Sequence, residues 1–261
     1  MNQQLFLSLL FLLCPLLSIS FHKISKIKLA TAQNIQISCT VLATQSQTIP
    51  TQKNIDILGR AAYYAVLAGS AITVIGPTKL IGSAGVYPTG SLSGNQITYV
   101  AGAPHVADTY AQNAQLDLFA AYNTILSYPH GDFNNRDLAG QTLIPGVYAF
   151  QSSASLNSFP PLTLDAKGDP NARWVFQIVS TFTAVASAQV DIINGGSSEN
   201  VYWQVGSSAT IHDNVKMVGN IIAFYSITIR AGSNLVGQVL ALNGAVSLYS
   251  NNINSVDCLS P

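Results

Sequence analysis

In six coil-like segments of this chain, two small or hydroxylated side chains flank one apolar residue. Ala71 and Thr73 enclose Ile72, Ser153 and Ser155 enclose Ala154, and Thr181 and Thr183 enclose Phe182. Ser208 and Thr210 enclose Ala209, Ser226 and Thr228 enclose Ile227, and Ala245 and Ser247 enclose Val246. Successive side chains of an extended strand alternate between its faces, so in each triplet the apolar residue points one way and its neighbours the other. Stacked strand on strand, the pairs would form an array spaced about 4.8 Å across strands and about 6.6 Å along them. Unactivated hydroxyls in that pattern offer hydrogen bonds rather than nucleophilic catalysis. The array lacks the Trp, Arg and aromatic anchors that grip a protein. Its side chains cost little rotamer entropy to hold still, and each Thr presents a hydroxyl and a methyl that can order water, which suits a repeating solid.

Groups capable of covalent or acid–base chemistry are scattered. The four histidines, His22, His105, His130 and His212, have no metal-ligand spacing. No Gly-x-Ser-x-Gly elbow, Walker-type loop or dinucleotide fingerprint is present. Asp165, Asp169, Asp191 and Asp213 are dispersed, and Asp169 precedes Pro170 in "GDPN", which reads as a turn. His105 reads as a cap or packing residue. The expectation is a protein that is not an enzyme and needs no cofactor or metal. Trp174 and Trp203 lie in strongly apolar strands and are expected in the core, whereas Phe224, Tyr225 and Tyr249 would be the residues to contact a sugar. An extracellular adhesive or polysaccharide-binding module therefore stands as the alternative reading.

Only 8% of the 261 residues are charged, with eleven basic and eleven acidic side chains, against about 25% in ordinary soluble domains. Nucleic acid and anionic membrane are excluded as main partners, since both call for a basic surface. Residues 1–20, "MNQQLFLSLLFLLCPLLSIS", carry an apolar run from Leu5 to Leu17 interrupted by Pro15. That run is short for a transmembrane anchor and reads as a signal peptide, cleaved after Ser20 or Ala32, with the mature protein secreted. Cys14 leaves with it. Cys39 and Cys258 then remain, either as a disulfide or as two separate thiols; a bridge would close so long a loop that its ceiling is about 5 kcal/mol.

Residues 21–53 are polar and irregular and read as an arm or leader extension. A single domain is expected over 54–256, followed by a tail at 257–261. Within it, Ala107, Tyr110, Ala111, Ala114, Leu118, Ala121, Tyr122 and Ile125 form one apolar stripe at helical spacing. The stripe, with Pro104 before it and Pro129 after, predicts one helix over about 104–126. Everything after the helix alternates as half-buried strands separated by turns such as "AKGDPN" and "INGGSSEN". Gly219 to Gly237 is 18 residues and Gln177 to Gln204 is 27, so the strands recur as coils of unequal length, the mark of a solenoid. A β-sandwich with one crossover helix would instead show hairpin turns between neighbouring strands.

The series "LGRAAYYAVLAGSAIT", "HVADTYAQNAQLDL", "TLIPGVYAF", "LDAKGDPNARWVFQI", "INGGSSENVYWQVGSSATI", "GNIIA" and "VLALNGAVSL", in this order, resembles the microbial ice-binding proteins built on a discontinuous β-solenoid. The resemblance covers roughly residues 57–253. It implies a mainly β fold: one triangular, interleaved solenoid with a long helix packed alongside. It implies adsorption to an ice crystal surface through one flat face by a monomer, with thermal hysteresis and inhibition of ice recrystallisation. The family's Thr-small-x-Thr-like motif maps onto "SAIT" at 70–73, "SSAT" at 207–210, "YSIT" at 225–228 and "GAVS" at 244–247. Tyr225 and Gly244 depart from that pattern, which marks them as places where the face would lose regularity. No segment for the extra capping subdomain of some relatives lies between "VYPTGSLSG" and the helix.

Overall fold

The computed structural model describes residues 55–133 and 136–255. The leader segment, the polar arm, the C-terminal tail and both Cys39 and Cys258 lie outside the described residues.

Short strands of two to five residues, rich in Val, Ile and Leu, are broken by turn residues and pair in parallel throughout. Parallel neighbours cannot be joined by a hairpin, so the chain winds around a common core and each turn lays one strand on each of three walls. The first wall is a nine-stranded sheet running from Gly131–Asp132 to Pro104–Val106. The second has seven strands, from Ala154–Leu156 to Ser91–Ser93. The third consists of a three-stranded and a five-stranded sheet joined by an isolated bridge between Gln189 and Lys216. The longer coils carry extra turns at 166–173 and 194–200, which explains the unequal spacing of otherwise equivalent strands.

The order of stacking departs from the order of the chain at one place. Coils from 146 to 254 follow one another in sequence, and the coil from 64 to 81 then stacks on the last of them, Val66 opposite Val239, Ile72 opposite Val246 and Leu80 opposite Ile253. The coil from 83 to 101 continues the stack. The interleaving implied by the family resemblance is thus a single discontinuity.

The long helix makes that discontinuity possible, because it carries the chain back along the stack. It spans Thr109–Leu126, so it starts later than the expected 104. Pro104–Val106 is instead the last strand of the nine-stranded wall, paired with Ala84 to Val86. Asp108 caps the helix, its Oδ1 accepting from the Ala111 amide at 2.8 Å while Oδ2 meets His105 Nδ1 at 2.8 Å. Ala114, Leu118, Ala121, Tyr122 and Ile125 pack against Leu67, Val175, Tyr202, Ile222 and Leu240 of the nine-stranded wall. Two buried glutamines fasten the ends of this layer. Gln177 Nε2 donates to the Ile125, Leu126 and Tyr128 carbonyls at the end of the helix, and Gln238 Nε2 donates to the Ala61 and Ala62 carbonyls of the short helix Gly59–Tyr63 and to that of Tyr64, which opens the following strand. Helix C-termini leave such carbonyls without intrahelical partners, and a buried side-chain amide satisfies them.

Inside, the core is a column of in-register side chains. Trp203 stacks on Phe176 at 4.0 Å between centroids and 9° between planes, and on Phe182 at 4.9 Å. Both tryptophans are buried, their indole N–H groups donating to the Leu143 and Val218 carbonyls. Tight corners complete each turn. Gly237, at φ +148°, lies so close to Gly219 that a Cβ there would fall on the Gly219 carbonyl oxygen. Backbone strain of this kind costs about 1–3 kcal/mol. Gly237→Ala should therefore lower the melting temperature by about 2–4 °C for each kcal/mol lost. An unchanged melting curve would mean that this corner does not restrict the stack.

One turn adds a pH dependence. Asp165 is ion-paired to Lys167 Nζ at 2.7 Å and accepts from Asn194 Nδ2 at 2.7 Å and the Lys167 amide at 2.9 Å. Lys167 first, and then Asn194, hold its carboxyl down to about 2. The unfolded-state value is about 3.9, so this group's contribution is present above that value and is lost as pH falls through the folded value. Thermal melts should show stability declining from about pH 4 to about pH 2. Asp165→Asn should make that decline shallower.

Candidate binding face

The three walls differ in what they offer to solvent. The nine-stranded wall is covered by the helix over its middle coils. On the third wall one outward column runs Lys216, Asn234, Asn252, Lys79 and Thr98, so charges interrupt it, and the next runs Val218, Val236, Asn254 and Ile81. The seven-stranded wall is different.

There the register places Ser155 beside Thr183, Thr183 beside Thr210, Thr210 beside Thr228, Thr228 beside Ser247, Ser247 beside Thr73 and Thr73 beside Ser93. Seven consecutive coils thus carry a hydroxyl at one position, over about 29 Å at the usual strand spacing. Two residues earlier runs a second column of Ser153, Thr181, Ser208, Ser226, Ala245, Ala71 and Ser91, stacked by backbone bonds such as Ala209 N to Ser226 O at 3.0 Å. All twelve residues that the sequence pattern singled out fall in these two columns. Ser91 and Ser93 were not among those residues, although "SLS" is the same small–apolar–small triplet, flanked by Gly90 and Gly94.

The alternating burial explains why the wall is flat. Ile72, Phe182, Ala209, Ile227 and Val246 point inward and are essentially fully buried, as are Ala184, Ile211, Ile229 and Leu248 one step on. Each large aliphatic contributes about 1.5–3 kcal/mol of burial, so the strands are pinned from beneath and leave their outward partners free of any packing duty.

The two columns use their hydroxyls differently. Ser208 Oγ accepts from the Ser226 amide at 3.3 Å, Ser226 Oγ accepts from the Ala245 amide at 3.2 Å, and Ser153 Oγ meets Thr181 Oγ1 at 2.9 Å. That column is tied to the neighbouring coil. The hydroxyls of Thr73, Thr183, Thr210 and Thr228 make no hydrogen bond to a described residue and remain available to water. Their β-branching restricts χ1, which favours one repeated presentation of hydroxyl and methyl.

The boundaries of the array are equally defined. At one end Asp137 bridges to Ser155, but its carboxylate is drawn into bonds with the Asn157 and Ala139 amides at 3.1 Å each. On one flank stand bulkier residues, Val185, His212, Arg230, Tyr249 and Ile75. On the other is the corner, and Tyr225 and Gly244 belong to it. They occupy the turn before the second column rather than either column, so neither interrupts the face, contrary to the expectation from motif alignment. A Cβ on Gly244 would collide with the Tyr225 backbone and Ser226 Oγ, which is why no hydroxyl residue stands there.

Among the described residues no three His, Cys, Asp or Glu side chains cluster in a way that could hold a metal ion. Asp169 forms a turn, its Oδ1 accepting from the Asn171 amide at 2.8 Å.

A family model described as ice-binding-like matches residues 66–254. An ice-binding protein of Nostoc sp. strain HG1 is 40% identical over 227 residues, 86% of this chain and 83% of that one. The crystal structure of an ice-binding protein from the Antarctic ascomycete Antarctomyces psychrotrophicus superposes with a TM-score of 0.72 at 32% identity, covering 76% of this chain and 97% of that one. A structure of an Arctic yeast ice-binding protein, solved as a basis for antifreeze activity, gives 0.71 at 26% identity over 78% of this chain and 95% of that one.

Because the outward residues of the wall are half-buried and lie outside the core, Thr228→Tyr should change unfolding free energy by no more than about 1 kcal/mol. Ile227→Ala, one residue away and inward, should cost about 2–5 kcal/mol. Chemical denaturation of both variants checks the assignment of faces, and equal losses would contradict it.

Proposed function

The chain belongs to the ice-binding-like protein family, and on that premise we propose that it adsorbs to ice through the seven-stranded wall, Thr73, Thr183, Thr210 and Thr228 forming its centre. The observation that carries this assignment is the unbroken register of seven hydroxyl residues on a wall that no described element covers and that is uncharged within its two columns.

The mechanism follows from that geometry. Hydroxyls free of protein partners bind water, and the adjoining methyls limit the orientations that water can take, so the repeated pattern organises a layer that merges with the crystal. The side chains are short and already held by the stacked backbone, so adsorption freezes out little additional entropy. Bound molecules then force the ice between them to grow as convex patches, whose curvature makes further growth less favourable. Thermal hysteresis and inhibition of recrystallisation are the two results. No cofactor and no catalytic step enters.

We further infer that the protein is secreted with loss of residues 1–20 and works as a monomer. The apolar run from Leu5 to Leu17 supports the first, and the second is supported by a wall that one chain completes by itself. No helix among the described residues is long and apolar enough to cross a membrane.

Thr210→Tyr and Thr228→Tyr should each reduce thermal hysteresis to under about a tenth of the parent value, since both sit at the centre of the contact. Asn234→Tyr on the third wall should leave it unchanged. Nanolitre osmometry and a recrystallisation assay measure both properties. Full activity in the two threonine variants, or an equal loss in Asn234→Tyr, would show that another surface binds ice.

A further inference from the structure

The helix does not cover the nine-stranded wall out to its corner with the hydroxyl-lined wall. Between them lies a groove of about 520 Å³, within the range of about 300–1,000 Å³ typical of small-ligand sites. Its floor includes Gln177 and Gln204, in register on adjacent coils. Tyr122 and Leu126 of the helix form one side, and Val179 and Tyr225 form the other. Val179 is 63% exposed and Tyr225 51% exposed, unusual for large apolar and aromatic side chains placed together. The aromatic side is held in place. Phe224 packs on Tyr122 at 5.8 Å and against Tyr225 edge-to-face at 5.0 Å and 89°. Gln204 and Tyr122 both line the groove.

From this arrangement we infer that the groove binds a short neutral oligosaccharide, independently of the ice-binding wall. Apolar walls over an amide floor match a pyranose ring, which has C–H faces that lie on aromatic and aliphatic side chains and hydroxyl edges that donate to amide oxygens, the Gln177 amide nitrogen being taken by the helix carbonyls. Charge narrows the class. Among the described residues no Lys, Arg, Asp or Glu lines the groove, and His130 stands at its end, 3.9 Å from Asp132. Phosphorylated or uronic sugars thus meet no lysine or arginine among the described lining residues. An extended peptide fits less well, because the strands of the floor are paired on both sides and leave no open edge for strand addition. The groove and the hydroxyl array occupy neighbouring walls, so ice and glycan can be held at once.

The test is a titration of the full chain followed by amide NMR, with neutral β-glucan, mannan and xylan tetrasaccharides as probes and a uronic tetrasaccharide as the charged control. At least one neutral probe should give saturable shifts at the Gln177 and Gln204 side-chain amides while the uronic probe gives none. Tyr225→Ala should weaken that binding at least about tenfold, and Val179→Asp, at a site too exposed to upset the core, should abolish it. Thermal hysteresis should be unchanged in both, which keeps this site's failure distinct from failure of the ice-binding wall. The proposal is overturned if no neutral probe saturates, if both variants bind as the parent does, or if the groove signals move with protein concentration alone, since that would make it a self-association surface.

Discussion

Everything in this molecule depends on parallel strands stacking in register about 4.8 Å apart. That spacing converts a recurrent position in the chain into a column on the surface. A one-residue slip in any coil would turn its hydroxyl pair inward and its apolar residue outward. The core prevents such slips: the Phe176–Trp203–Phe182 stack and the aliphatics beneath the hydroxyl wall match coil against coil. Flatness outside is the consequence of tight packing inside.

The same constraint explains the unusual chain path. A stack has two ends with unpaired strands, which are a liability for aggregation, and the fold places its first and last coils against each other in the middle rather than leaving both as ends. The helix is needed for this. It returns the chain along the nine-stranded wall and covers its middle coils, and the buried amides of Gln177 and Gln238 secure it where helical carbonyls would otherwise be unpaired. One wall is thereby spent on topology, one column of the third is broken by Lys79 and Lys216, and the seven-stranded wall keeps both of its columns uncharged.

Much of the wall was legible in the sequence, because the small–apolar–small triplet is local and a strand's two-residue period decides which side chains share a face. Thr73 and Ser247 were recognisable as equivalents although more than half the chain separates them. What was not legible was non-local or conformational. Nothing near Pro104 says that the segment pairs with Ala84 to Val86 instead of opening the helix. Nothing in "YSIT" or "GAVS" says that the first residue turns a corner, since that follows from how closely Gly244 approaches Tyr225. Ser91 and Ser93 stand between Gly90 and Gly94, and only the pairing with Ala71 and Thr73 brings them into the array.

The central claim is that ice meets the threonine column directly. Solid-state NMR of the isotope-labelled protein in frozen solution, following polarisation from ice protons into side chains, tests it without altering a residue. The account predicts the fastest transfer into the methyls of Thr73, Thr183, Thr210 and Thr228, with slower transfer into Val218, Val236 and Lys79 of the third wall. Equal or faster build-up on the third wall would contradict it.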